Sequence, residues 1–122
     1  FPKMGDRWIP EGLFVLTPVY RNFAENTATV QFTHRCFATA STVAVLSLAA
    51  GAQPQWPHLP AAFRSAALLS VGALSVQVGL GISTLLLYVP IPLAAAHQLG
   101  SLVLLATTLK AAHALQPATP FF

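Results

Sequence analysis

The sequence predicts an all-α membrane protein with three transmembrane helices. Of its 122 residues, 55% are hydrophobic and only 7% are charged, against roughly 25% charged in a typical soluble domain. Residues 65–109 contain no Asp, Glu, Lys or Arg, and a bilayer core needs about 20 apolar residues per helix. A soluble domain with so little charge would aggregate, and a disordered chain would be polar and charged. The length suffices for one domain and is too short for two.

The prolines indicate where these helices begin and end, because proline is costly inside a helix. Clusters at positions 54–60 and 90–92 separate three proline-free stretches. We predict transmembrane helices at about 27–50, 64–88 and 93–115. These stretches are rich in Ala and Leu and lack a two-residue alternation of polarity, which argues against strands.

The first 26 residues are predicted to be an extramembrane segment (1–26), and residues 27–122 the three-helix transmembrane region. The first segment contains all three acidic residues and half of the six Lys and Arg residues. We expect a turn near residues 20–23 within it. The chain begins at Phe1 without a start methionine or a signal-peptide pattern, so we expect it to be a piece of a longer protein.

The charge pattern and the single cysteine exclude several classes of function. The net charge of +3 comes from isolated residues, whereas nucleic-acid binders concentrate basic residues in a patch, so no nucleic-acid partner is expected. Cys36 alone can form neither an internal disulfide nor a cysteine-pair metal site. Asp6, Glu11 and Glu25 all precede the helices. Because no carboxylate lies within the membrane, no catalytic residue is predicted in this chain.

Two histidines are candidates for a site within the membrane, where an ionisable side chain is costly and usually functional. His34 lies in the first predicted helix and His97 in the third. These helices are expected to run in the same direction, which places both imidazoles at similar depth near one membrane face. Two histidines from facing helices that bind one iron axially form a bis-histidine haem site.

Other interpretations of these residues stay open from their spacing alone. Each histidine could instead hydrogen-bond to a neighbouring helix, bind another metal or carry protons. Arg35 could bind a haem propionate through charge-assisted hydrogen bonds, or extend its guanidinium to the lipid headgroups. His58 is expected in a loop and His113 in the last turn of the third helix.

Polar and small residues of the second helix are predicted to serve helix packing. Gln77 is expected to hydrogen-bond to another helix. Ser75 and Gly79 are two small residues four positions apart, a spacing that favours close approach of helices in membranes.

Several segments of the sequence resemble the heme A synthase family. They are FPKMGDRWIP at residues 1–10, VQFTHR at 30–35, QVGLGISTLLLYVP at 77–90 and PLAAAHQ at 92–98, with Arg21-Asn22 and Glu25-Asn26 between the first two. The resemblance covers nearly the whole chain in the right order, and it is to the mitochondrial and proteobacterial branch of the family.

This resemblance implies that the chain is the C-terminal half, without its first helix, of an eight-helix protein built from two four-helix halves. Its three helices are then expected to be part of a four-helix haem-binding bundle. His34 and His97 match the two ligands of a b-type haem, which passes electrons to the substrate haem. Family members oxidise a methyl group of heme O to the formyl group of heme A, for cytochrome c oxidase. The implied location is the mitochondrial inner membrane or the bacterial plasma membrane.

The resemblance also implies partners for the chain. They are membrane lipid, the N-terminal half of the same protein, heme O synthase and a ferredoxin-type electron donor. A homo-oligomer is compatible with the sequence.

Two features depart from the family pattern. Thr33 precedes His34 where relatives often carry Asp. The N-terminal half is expected to be absent, and with it the family's Glu-x-x-His element; the matching spacing here, Gln31-x-x-His34, has no carboxylate. The chain alone is therefore not expected to complete the oxidation. Two rival interpretations are a non-enzymatic b-type cytochrome and a structural membrane subunit whose histidines bind nothing.

Overall fold

The structure, a computed structural model, describes residues 2–116 as a succession of helices. A 3-10 turn at Val19–Arg21 and a short helix α1 (Asn22–Glu25) form the turn predicted near residues 20–23. Residue 1 and residues 117–122, which the predicted segments 1–26 and 27–122 include, lie outside the described range. Three long helices follow: α2 (Thr27–Ala52), α3 (Ala61–Leu86) and α4 (Ile91–His113), with a 3-10 helix at Gln53–His58 between α2 and α3.

These three helices confirm the predicted fold class. Each is long and apolar enough to cross a membrane, since helices of 23 to 26 residues are about 35–39 Å long and a hydrocarbon core is about 30 Å thick. Large apolar side chains such as Leu68, Leu99 and Leu102 are more than 60% exposed, which suits a face turned to lipid. The predicted border between an extramembrane segment and the membrane region at residue 26 stays a prediction.

Local sequence sets the start of each long helix. The side-chain oxygen of Asn26 accepts hydrogen bonds from the backbone N–H groups of Ala28 (3.0 Å) and Thr29 (3.3 Å), which is an N-cap. Helices α3 and α4 begin directly after Pro60 and Pro90. Both therefore start two to three residues before the predicted positions 64 and 93, because proline is tolerated at or before the first turn.

The end of α3 is an unusual turn. Tyr88 and Val89 have φ values of 57° and 59°, in the left-handed region that ordinary residues rarely adopt. The backbone N–H of Val89 donates to the carbonyl of Thr84 at 2.8 Å. The chain thus leaves the helix at Leu86 rather than at the predicted residue 88, and reverses into α4 within four residues.

The chain divides into two compact units, the first ending at Val43 and the second beginning at Ala44. In the second unit, Phe63, Ala66 and Ala67 of α3 pack against Ala111 of α4. Neighbouring apolar residues cover this cluster: Ala52, Trp56, Leu59 and Ala114.

Helices α3 and α4 form the main helix pair of the second unit. They are antiparallel, because residues near the start of α3 meet the end of α4, and Gly81 near the end of α3 meets His97 near the start of α4. The two helices approach each other closely at Gly81 and Gly100, where the glycines leave room for side chains of the opposite helix. This pair positions the first candidate residue, His97.

Candidate functional site

The imidazole of His97 lies directly over Gly81 of the neighbouring helix. His97 is half-buried, in the second turn of α4. A Cβ atom added to Gly81 would lie 2.9 Å from Cε1, 3.5 Å from Nδ1 and 3.6 Å from Nε2 of the ring. The ring therefore occupies space that only a glycine on α3 leaves open.

Gln77 links α3 to the backbone of His97. Its side-chain Nε2 donates a 2.9 Å hydrogen bond to the main-chain carbonyl of His97. Its Oε1 is buried, has no hydrogen-bond partner among the described residues, and occupies the space that a Cβ on Gly100 would take. The predicted interhelix hydrogen bond of Gln77 is confirmed, and its partner is the main chain of the candidate ligand.

The predicted packing role of Ser75 and Gly79 is not found at the contact between α3 and α4. Ser75 is exposed and donates to the carbonyl of Val71 in its own helix, and a Cβ on Gly79 would meet nothing within 4 Å. The small residues at the contact between α3 and α4 are Gly81 and Gly100 instead. Two residues along a helix amount to a rotation of about 200°, so Gly79 and Gly81 lie on nearly opposite faces.

His34 and Arg35 lie in the first unit, in the second and third turns of α2. The imidazole of His34 is exposed and Arg35 is half-buried. The Arg35 guanidinium donates through Nη2 to the main-chain carbonyl of Pro2, a partner that sequence reasoning missed. A guanidinium has five N–H donors, so this bond leaves donors for a headgroup or a carboxylate.

Side-chain amides hold the segment that precedes His34. Asn22 is fully buried; its Oδ1 accepts from the N–H of Leu16 (2.9 Å), and its Nδ2 donates to the carbonyls of Leu16 (2.8 Å) and Val19 (2.9 Å). Asn26 donates to the carbonyl of Gly12 at 2.8 Å while capping α2. The hydroxyl oxygen of Thr29 accepts from the N–H of Phe14 at 3.3 Å. These hydrogen bonds therefore connect the start of α2, the helix that contains His34, to residues 12–22.

Two of the three acidic residues form ion pairs with arginines in the part of the chain that precedes α2. Glu11 pairs with Arg7 at 2.8 Å, and Glu25 pairs with Arg21 at 2.6 Å. The hydrogen bonds that Arg21 donates to the Glu25 carboxylate raise the pKa of Arg21 above its usual value, against an opposing effect of desolvation. The carboxylates of both pairs are thus engaged with arginines outside the predicted membrane spans.

The other two histidines lie where the sequence places them. His58 is exposed at the end of the 3-10 helix after α2, and His113 is exposed at the last position of α4. A histidine at a helix C-terminus interacts favourably with the negative end of the helix dipole. Neither position indicates a ligand.

The residues present fit a haem in their donor chemistry. Imidazole nitrogens are axial ligands of haem iron, and His34 and His97 each carry an imidazole. In the range 2–116 no three His, Cys, Asp or Glu side chains are grouped to hold a metal ion by themselves, and a bis-histidine haem needs only two imidazoles. His34 and His97 belong to different units, and their pairing stays a prediction.

Comparison with known proteins places this chain among relatives from mitochondria-bearing organisms and bacteria. The family of cytochrome oxidase assembly proteins called COX15-CtaA matches residues 1–109. Heme A synthase COX15 of Homo sapiens is 50% identical over 105 residues, covering 86% of this chain and 25% of the relative. The corresponding protein of Arabidopsis thaliana is 45% identical over 120 residues, covering 98% and 26%.

A bacterial relative gives the same result. Heme A synthase of Nitrosospira multiformis is 47% identical over 118 residues, covering 95% of this chain and 32% of the relative. The chain thus spans about a quarter to a third of the length of these curated relatives. No solved structure matches it. The match over residues 1–109 shows that the chain belongs to the COX15-CtaA family of cytochrome oxidase assembly proteins, the heme A synthase family.

Proposed function

We propose that this chain is the haem b-binding C-terminal portion of a heme A synthase, with His34 and His97 as the axial ligands. The complete protein would oxidise a methyl group of heme O to the formyl group of heme A, for cytochrome c oxidase. The chain itself is an integral membrane protein, of the mitochondrial inner membrane or the bacterial plasma membrane. The observation that carries the proposal is the His97 imidazole, held over Gly81 in a membrane helix pair.

The residues of this chain would bind and orient the haem rather than carry out the oxidation. His34 and His97 would supply imidazole nitrogens to the iron, and Arg35 would supply a cation near the start of α2 for a propionate. When bound, the haem supplies reversible one-electron transfer. Asp6, Glu11 and Glu25 are the only carboxylic side chains in the sequence. None of them lies in a long helix, so this chain places no carboxylate in its predicted membrane spans.

The partners follow from the family and are proposed with the function. The N-terminal half of the same protein would carry the oxidising element, heme O synthase would supply the substrate haem, and a ferredoxin-type donor would supply electrons. Membrane lipid surrounds the apolar faces of α2, α3 and α4. Assembly into a homo-oligomer is compatible with the many exposed apolar side chains.

A chimera tests the enzymatic role. The aligned segment of the Nitrosospira multiformis relative would be replaced by this chain, and the chimera expressed in cells that lack their own heme A synthase. We expect heme A in the extracted haems, because the two segments are 47% identical over 118 residues. The extract would be separated chromatographically and the formyl-bearing haem quantified.

Histidine variants of the chimera make the test specific. His34→Ala and His97→Ala should each reduce heme A to background, whereas His58→Ala should leave it unchanged because His58 is an exposed loop residue. Heme A formation that survives His34→Ala or His97→Ala in a membrane-inserted chimera would contradict the proposal.

A further inference from the structure

We propose that Gln77 is the positioning residue of the His97 ligand. Its amide fixes α4 against α3 at the level where the imidazole lies over Gly81. The inference deepens the proposed function and rests on it for the haem measurements below, while its geometry stands on the α3–α4 pair alone.

Three contacts on successive helical turns hold α4 against α3 around Gln77. We call them the Gln77 clamp. Gln77 Nε2 donates to the main-chain carbonyl of His97 at 2.9 Å. The Oε1 of the same amide occupies the Cβ position of Gly100, one turn after His97. One turn after Gln77, Gly81 leaves room for the Cε1 corner of the imidazole, with 2.9 Å between Cε1 and a Cβ built on Gly81. Each glycine thus receives a polar side chain from the opposite helix.

The clamp is selective for one register of α4. Sliding α4 by one residue would move it about 1.5 Å along its axis and rotate the contacting face by about 100°. Gln77 would then lose the His97 carbonyl, and its amide would meet a Cβ instead of Gly100. The imidazole would leave Gly81 at the same time. Apolar packing between leucine-rich helices tolerates such shifts far better, because lipid tails and leucine side chains are equally apolar.

The amide also determines the direction of the ligand. Gln77 binds the main chain of His97 rather than its ring, so it fixes the Cα position from which the imidazole projects. Residues that orient a metal ligand without touching the metal change metal affinity by about 10- to 100-fold when they are replaced. Gln77 is placed to act in this way on a haem bound by His97.

Two variants that break the clamp differently test the inference. Gln77→Leu keeps the size of the side chain and removes the N–H donor. Gly100→Ala keeps Gln77 and fills the space that Oε1 occupies. The matched control is Gln98→Leu, the same substitution at an exposed residue next to the ligand. All are made in the full chain, purified in detergent and checked for helical content.

The first measurement needs no haem. With ¹³C-labelled histidine, the chain gives ring signals for its four histidines, and His97→Ala identifies the signal of His97. We expect that signal to shift in Gln77→Leu and in Gly100→Ala, and to stay in place in Gln98→Leu. An unshifted His97 signal in both clamp variants, or an equal shift in Gln98→Leu, would overturn the inference.

The second measurement uses hemin as the probe. We expect Gln77→Leu to raise the hemin dissociation constant about tenfold and to change the low-spin ferric resonance spectrum and the midpoint potential, with Gln98→Leu like the wild type. Wild-type values in Gln77→Leu would overturn the inference. A wild-type chain that binds no hemin while the His97 ring signal responds as expected would count against the proposed function and in favour of the clamp.

Discussion

Gly81 lies under the imidazole of His97 at a distance that leaves no room for a methyl group. A Cβ there would be 2.9 Å from Cε1, so the ring would have to move to make room for it. We predict that Gly81→Ala destabilises the chain by about 1–3 kcal/mol, the usual cost of overpacking. Thermal unfolding in detergent, followed by circular dichroism, measures this change.

Gly79 provides the matched control on the same helix. A Cβ at Gly79 meets nothing within 4 Å, and alanine forms helices better than glycine by about 0.5–1 kcal/mol. Gly79→Ala should therefore leave the unfolding temperature unchanged or raise it. Equal destabilisation by the two substitutions would contradict the assignment of Gly81 to the helix contact.

Asn22 makes four side-chain hydrogen bonds in the first unit. It is fully buried and hydrogen-bonds to the main chain of Leu16 and Val19 and to Asn26. We predict that Asn22→Ala speeds amide exchange at Leu16 at least tenfold, because each buried group left unpaired costs about 1–3 kcal/mol and about 1.4 kcal/mol corresponds to a factor of ten. Hydrogen exchange followed by mass spectrometry or NMR measures the rate.

The control removes a comparable amide from an exposed site. This control is Gln31→Ala, at an exposed residue of α2 in the same unit. Its effect on Leu16 exchange should be small, and comparable rates in the two variants would show that Asn22 does not hold the segment.

Individual residues were predictable from sequence to different extents. Gln77 was predicted to bridge helices because an amide within an apolar stretch needs a partner, and the structure confirms this. Gly81 was not selected, although it stands in the sequence as plainly as Gly79. The face of a helix that meets its neighbour depends on tertiary packing, and the weak amphipathicity of a membrane helix gives no periodic signal for it.

The turn between α3 and α4 determines where α4, the helix that contains His97, begins. Tyr88 and Val89 both have positive φ, and this conformation costs an ordinary L-residue about 1–2 kcal/mol. Asparagine tolerates it better. We predict that Val89→Asn raises the free energy of unfolding by about 1 kcal/mol, as measured by thermal unfolding of the detergent-solubilised chain.

Leu87 is the neighbouring control. It is exposed like Val89 but has a φ of −98°, so asparagine relieves nothing there. Leu87→Asn should not stabilise the chain. Equal gains at both positions would indicate an effect of surface polarity rather than of backbone conformation.

The helices themselves were the most predictable feature. Prolines at 54–60 and 90–92 bracket the apolar stretches, and the observed bounds differ from the predicted ones by a few residues. The differences have two causes. Pro60 and Pro92 are accommodated at helix starts, and the left-handed residues Tyr88 and Val89 end α3 early.

Taken as a whole, the chain combines three membrane helices with two histidines that we propose as haem ligands. Its sequence matches about a quarter to a third of its relatives, and its long helices contain no carboxylate. The structure locates His97 over Gly81 in one unit and His34 in α2 in the other. Spacing alone could not decide between haem, another metal and a structural role, because a lone imidazole suits all three.

A titration of the purified full chain with hemin in detergent tests the bis-histidine haem site most directly. The wild-type chain and the four single variants His34→Ala, His58→Ala, His97→Ala and His113→Ala would be compared by reduced-minus-oxidised visible spectra. We predict a six-coordinate b-type spectrum that saturates at equimolar hemin, survives His58→Ala and His113→Ala, and is lost in His34→Ala and in His97→Ala. A wild-type chain that binds no hemin, or a six-coordinate spectrum that persists without His34 or without His97, would contradict the assignment of these two histidines as the haem ligands.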